Sequence, residues 1–117
     1  MFTSKELALD IAKWGEDKIA SNVVILEVGQ VSTIADYFVI MHATNRTQTS
    51  AILDFIGEEV GKKYGLHYPH KEGRQSGDWL LLDFGIVVVH VFLDEARSFY
   101  DLERLWIDAP RLETGNS

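Results

Sequence analysis

Residues 78–93 read DWLLLDFGIVVVHVFL. Two apolar runs, 79–83 (WLLLD) and 86–93 (IVVVHVFL), flank Phe84-Gly85, which reads as a two-residue hairpin loop. In that register Asp83 faces Ile86, Leu81 faces Val88 and Trp79 faces His90. Side chains alternate across a sheet. One face therefore carries Trp79, Leu81, Asp83, Ile86, Val88, His90 and Phe92; the other carries Leu80, Leu82, Val87, Val89 and Val91. The second face is wholly aliphatic and must be core, packed by helices. The first mixes a Trp, a His, an Asp and a Phe with aliphatic residues. It is either an interface, with aromatic anchors and polar handles, or a second helix-covered face with Trp79 and His90 packed inside. A slip of one residue would exchange the two faces.

The flanking sequence supplies what must cover this hairpin. Thr3-Ser4-Lys5-Glu6 fits a capping box, and Leu7, Ile11 and Trp14, with Ala8 and Ala12 beside them, make an amphipathic helix of about four turns. Residues 23–28 (VVILEV) read as a strand, Gly29-Gln30 as a turn, and 36–42 (DYFVIMH) as a strand apolar at both parities, hence covered on both faces. Asn45 with Gln48 opens a second helix that carries Ile52, Phe55, Ile56 and Val60 inward, and Gly65 stops it. Residues 66–70 (LHYPH) read as a short strand that Pro69 places at an edge, followed by turn chemistry at Gly73 and Ser76-Gly77-Asp78. A last helix starts near Asp94 and points Phe99, Leu102, Leu105 and Trp106 inward. The order αββαβββα predicts one α/β (α+β) domain, residues 1–110, on a single mixed sheet of about five strands. Residues 111–117 (RLETGNS) read as a flexible polar tail.

Composition narrows the function. The chain has 117 residues, 46% of them hydrophobic, and no cysteine. That excludes a disulfide scaffold, thiolate zinc sites and a thiol nucleophile. No apolar run is long enough to span a membrane, and the first ten residues lack a signal-peptide core. A soluble, cytoplasmic protein is the expectation. A net charge of −7 disfavours direct high-affinity nucleic-acid binding, which needs a basic face, and suits a basic protein partner. His67 and His70 are three apart, on opposite faces of a strand, and His42 and His90 have no ligand-spaced partner, so no metal is expected. Asp36, Asp78 and Asp83 are the candidates for a metal-dependent nucleotidyl-transfer site. Asp78 and Asp83 have opposite parity, however, and no phosphate-cradling glycine loop accompanies them. Ser76 and His90 lack the surroundings of a nucleophile and base. The sequence thus reads as a non-enzyme without a cofactor.

Residues 35–40 (ADYFVI), 78–92 (DWLLLDFGIVVVHVF) and 97–110 (RSFYDLERLWIDAP) resemble, in order, the ribosomal silencing factor family, also called Iojap-like or RsfS proteins. The resemblance runs from about Thr3 to Pro110. It implies a nucleotidyltransferase-like fold without the catalytic acids. It also implies binding to the large ribosomal subunit through ribosomal protein L-fourteen, steric block of subunit joining, and repression of translation. Relatives in organelles imply a role in large-subunit assembly. The tryptophan that the family uses beside the hairpin matches Trp79, with Asp78, Leu81, Asp83 and His90 around it. Asp36-Tyr37 match the family's D-Y pair, and Arg97, Tyr100, Glu103 and Trp106 match its terminal helix. Of these, Trp106 reads more simply as a core cap and Glu103-Arg104 as a solvated charge pair. Three positions depart from the pattern. Ile86 stands where relatives usually carry Asp, Ala43-Thr44-Asn45 where they have Gly-x-Ser, and Asn22 where an Asp opens the first strand. The rival readings are a nucleotidyltransferase-type enzyme and a homodimeric structural module whose Trp79 face is the dimer interface.

Overall fold

In the computed structural model, residues 1–67, 70–73 and 77–113 are described. Helix α1 (Ser4–Asp17) starts at the capping box: Thr3 Oγ1 accepts from the Glu6 N–H at 3.1 Å. Strands β1 (Ser21–Leu26) and β2 (Tyr37–Ala43) follow, joined through a short 3-10 turn at Val28–Gln30. Helix α2 (Arg46–Tyr64) is capped by Asn45, whose Oδ1 accepts from the Gln48 N–H at 2.8 Å. It ends at Gly65, whose φ of 69° is left-handed. Strands β3 (His70–Gly73), β4 (Trp79–Asp83) and β5 (Val87–Leu93) complete the sheet's main body. The chain closes with α3 (Asp94–Tyr100), α4 (Leu102–Leu105) and β6 (Arg111–Leu112).

The single mixed sheet has the order β3-β4-β5-β2-β1-β6. Only β2 and β5 run parallel; the other pairings are antiparallel. Both central strands are buried on both faces, which is why β2 and β5 read as continuous apolar runs. One face lies under α1 and α2, where Leu7, Ile11, Ile52, Leu53 and Ile56 meet Val87, Val89 and Val91. Lys63 Nζ and the Tyr64 hydroxyl both reach the Asp10 carboxylate, tying α2 to α1. The opposite face lies partly under α3, α4 and the segment after them, where Ala96, Leu102 and Ala109 meet Phe38, Val88 and Phe92. Among the described residues no helix is long and apolar enough to cross a membrane.

Four expectations are corrected. The hairpin loop is Gly85-Ile86, not Phe84-Gly85. The Phe84 N–H donates to the Val87 carbonyl at 3.0 Å, and Trp79 pairs with Phe92 while Leu81 pairs with His90. The first loop position takes a φ of 85°, which only glycine adopts without strain, so Gly85 and not Phe84 must occupy it. The slip is two residues, so every side chain keeps its expected face. Second, the last helix breaks at Asp101 (φ 49°). The break turns Phe99 and Leu105 outward, 80% and 76% exposed, while Leu102 stays buried. Third, Arg111 and Leu112 belong to the sheet and pair with Leu26 and Ile25. The remainder of the expected tail, 114–117, lies outside the described residues. Fourth, Leu66 and His67 precede the third strand, which begins at His70 and sits at the sheet edge. Pro69 and Ser76 lie outside the described residues.

Candidate functional site

The mixed face of the hairpin carries a row of rings. Trp79 opens β4 opposite Phe92 and stacks on it, centroids 4.9 Å apart and planes at 29°. Tyr100, from the end of α3, packs at 5.0 Å from the indole, and Phe99 meets Tyr100 edge-on at 5.2 Å. On its other side the indole lies 5.9 Å from His90. His90 meets Phe38 edge-on at 4.8 Å, and Phe38 meets Trp106 at 5.2 Å. The row runs from exposed Phe99, through half-buried Tyr100 and Trp79, to buried His90 and Phe38. The helices therefore roof its inner end and leave its outer end reachable. The helix-covered reading thus holds for His90, while Trp79 is only half-covered.

Trp79 Nε1 donates to His90 Nδ1 at 3.1 Å. Burial alone pushes the imidazole down to about 4, so the ring is neutral at physiological pH. Beside the row, Arg46, Asp78, Leu93, Glu95, Ala96, Phe99 and Tyr100 line an open groove of about 400 Å³. Its charged lining is mixed: half-buried Asp78 and exposed Glu95 stand with Arg46.

The other residues matched by resemblance divide into three groups. Leu81 packs half-buried against the second core. The Asp83 carboxylate accepts from the Gly85 N–H at 2.7 Å and so holds the hairpin loop. Asp36 and Tyr37 line a different groove of about 220 Å³, with Ser4, Glu27, Gly29 and Gln30. Tyr37 packs on the helical face; burial, with the Glu27 and Asp36 charges, raises its phenol. The structure does not bring this pair together with Trp79. Nor do Asp36, Asp78 and Asp83 converge, since they occupy two grooves and a hairpin loop. Among the described residues no group of three His, Asp or Glu side chains is placed to hold a metal.

Arg97, matched as a contact residue, is instead buried at 7% exposure. Its Nε and Nη2 grip the Glu103 carboxylate at 3.0 and 3.3 Å, and its Nη1 lies 2.6 Å from the Asn22 carbonyl and 3.0 Å from His42 Nδ1. Glu103 pairs with Arg97 and Arg111, not with Arg104 as the sequence suggested. Burial opposes the Glu103 charge, but the two arginines outweigh it and hold the carboxyl below its usual range. Burial, then Arg97, pushes His42 down. Arg97 thus clasps β1, β2 and the α3–α4 break. His90, also matched as a contact, lies behind Trp79 at 5% exposure. Phe99 was missed as a surface residue, because its helical spacing with Leu102 and Trp106 mimics a core face.

The fold is thus a mixed α+β domain with an aromatic row that is buried at one end and exposed at the other. The chain belongs to the family described as "Ribosomal silencing factor during starvation", which matches residues 2–117. It is 41% identical over 98 residues to the ribosomal silencing factor RsfS of Halalkalibacterium halodurans, covering 84% of this chain and 83% of that protein. It is 33% identical over 89 residues to the Mus musculus protein named for mitochondrial assembly of the ribosomal large subunit, covering 74% of this chain and 39% of that one. A solved structure of a Chromobacterium violaceum protein superimposes with a TM-score of 0.83 at 27% identity, covering 90% of this chain and 87% of that one.

Proposed function

We propose that this chain binds the large ribosomal subunit through ribosomal protein L-fourteen, blocks joining of the small subunit by occupying its docking surface, and so represses translation in the cytoplasm. The observation that carries this reading is the half-buried Trp79 within the ring row, next to a groove that Phe99 and Tyr100 line with Asp78, Glu95 and Arg46. A large aromatic in a partly formed pocket is the usual hot spot of an interface. Carboxylates at its rim steer a basic ribosomal protein and make association salt-sensitive. Trp79, Tyr100 and Leu81 form the apolar centre and Asp78 its acidic edge, with Asp83 at the far end of β4, by the hairpin loop to which the Asp36 N–H donates. Asp36 and Tyr37 belong to a separate patch, and His90 and Arg97 act from behind. The action is steric, with no reaction and no cofactor. The same contact serves large-subunit assembly, a role that the mouse relative's name carries.

The test is a subunit-joining assay with purified large and small subunits. Stoichiometric chain lowers the fraction of joined ribosomes and co-sediments with the large subunit. Unimpaired joining in the presence of saturating chain would contradict the proposal. Light scattering reads the competing homodimer: a monomeric wild type, or a dimer that Trp79→Ala leaves intact, excludes the ring row as a self-interface.

A further inference from the structure

We propose that His90 is a positioning residue for Trp79: its Nδ1 takes the indole N–H inward, so that the ring presents only carbon to whatever docks there. The inference rests on the docking role assigned to Trp79 above and adds the device that sets its contact chemistry.

The geometry is diagonal. Trp79 stands opposite Phe92, whereas His90 stands opposite Leu81, two residues nearer the hairpin loop. An indole upright over Phe92 would not need His90. Instead it leans along the strand, keeps its stack on Phe92, and places Nε1 3.1 Å from His90 Nδ1. Diagonal neighbours lie within reach of aromatic side chains. The torsion that swings an indole is otherwise broad, so this hydrogen bond selects one orientation.

Packing alone gives no reason for a histidine here. Neighbouring positions of β5 are valines, and His90 is walled by Phe38, Phe92 and Trp79. Its other nitrogen, Nε2, is buried and reaches no polar partner among the described residues. An aliphatic residue would avoid that unmet donor, which a fold otherwise rarely tolerates. What the histidine supplies and an aliphatic residue cannot is an acceptor for the indole. With its single polar atom engaged inside and its ring packed against Phe92 and Tyr100, the part of Trp79 left accessible to a partner is carbon. That suits an aliphatic side chain or the methylene stem of a Lys or Arg, in keeping with a basic partner.

The test compares wild type, His90→Leu, His90→Asn and Trp79→Ala. Asn places a carbonyl oxygen near the Nδ1 position. Hydrogen exchange of the indole N–H groups is followed by NMR, with Trp14, on α1, as the internal reference. Affinity for purified large subunits is measured alongside. In wild type the Trp79 indole N–H exchanges at least about tenfold more slowly than a free indole. His90→Leu keeps the fold by circular dichroism, loses that protection and weakens binding several-fold; His90→Asn recovers much of both. Fast exchange at Trp79 in wild type, or full protection and affinity in His90→Leu, would overturn the inference. If His90→Leu fails to fold, His90→Asn decides: an unprotected indole in a folded His90→Asn refutes the positioning role. Trp79→Ala that binds as tightly as wild type would sink the docking reading, and the exchange data would still judge His90's hold on the indole.

Discussion

Acidifying the protein from about pH 7 to about pH 5 should remove about 2 kcal/mol of stability through His90 alone. The folded imidazole titrates at about 4, against 6.5 for a free histidine. Between those values the unfolded chain holds a proton that the folded chain refuses, so stability falls as pH falls. The loss is small at pH 7 and nearly complete by pH 4. His42 is pushed in the same direction by burial and Arg97, so the wild-type slope by itself does not isolate His90. The difference between wild type and His90→Leu does. The assay is urea unfolding at several pH values in that range, with the linear slope checked for constancy. Glu103 and Asp10 are held below their ordinary values of 4.5 and 3.8 and add their own losses only at more acid pH. Identical pH slopes for the two proteins would refute a buried, neutral His90, and with it the acceptor that the Trp79 indole is said to use.

Arg97→Ala should destabilise by about 3 kcal/mol in urea unfolding, because it leaves half-buried Glu103 with only the exposed Arg111 and takes the Arg97 donor from the Asn22 carbonyl. Arg97→Lys should not fully restore it, since a single ammonium cannot reproduce the two-pronged grip on Glu103. Asn45→Ala should cost about 1 kcal/mol by thermal unfolding through loss of the α2 cap, and Asn45→Ser should restore most of it. Phe99→Ser and Leu105→Ser should each change stability by less than about 0.5 kcal/mol, since both side chains are largely exposed. Only Phe99→Ser, at the docking groove, should weaken large-subunit binding in a co-sedimentation titration.

Much of this fold was legible because local chemistry and long-range packing agree. The two caps, the Gly65 stop, the doubly buried β2 and the division of hairpin faces all follow from side-chain type and period. The register did not, because it turns on which loop position needs a positive φ. Gly85 marked the turn, but its place within the turn was assigned one residue late. The break at Asp101 carried no signal: no glycine or proline stands there, and Phe99, Leu102 and Trp106 keep a helical spacing across it. Strand β6 is two residues long and is set by long-range pairing with β1, with the Glu27 N–H donating to the Pro110 carbonyl at 2.8 Å, which no local pattern announces. Of the candidate site, Trp79 was visible on a mixed face, whereas Asp78 entered only through the family resemblance. The burial of His90 was one of two open readings, and that of Arg97 was not legible, because both needed the path of α3 over the sheet.

The account stands most directly on the affinity of this chain for isolated large ribosomal subunits, measured for wild type and Trp79→Ala at matched folding by circular dichroism. Wild type should bind one to one, and the alanine variant should bind about tenfold or more weakly. Equal affinity of the two folded proteins, or no binding by wild type at all, would contradict it.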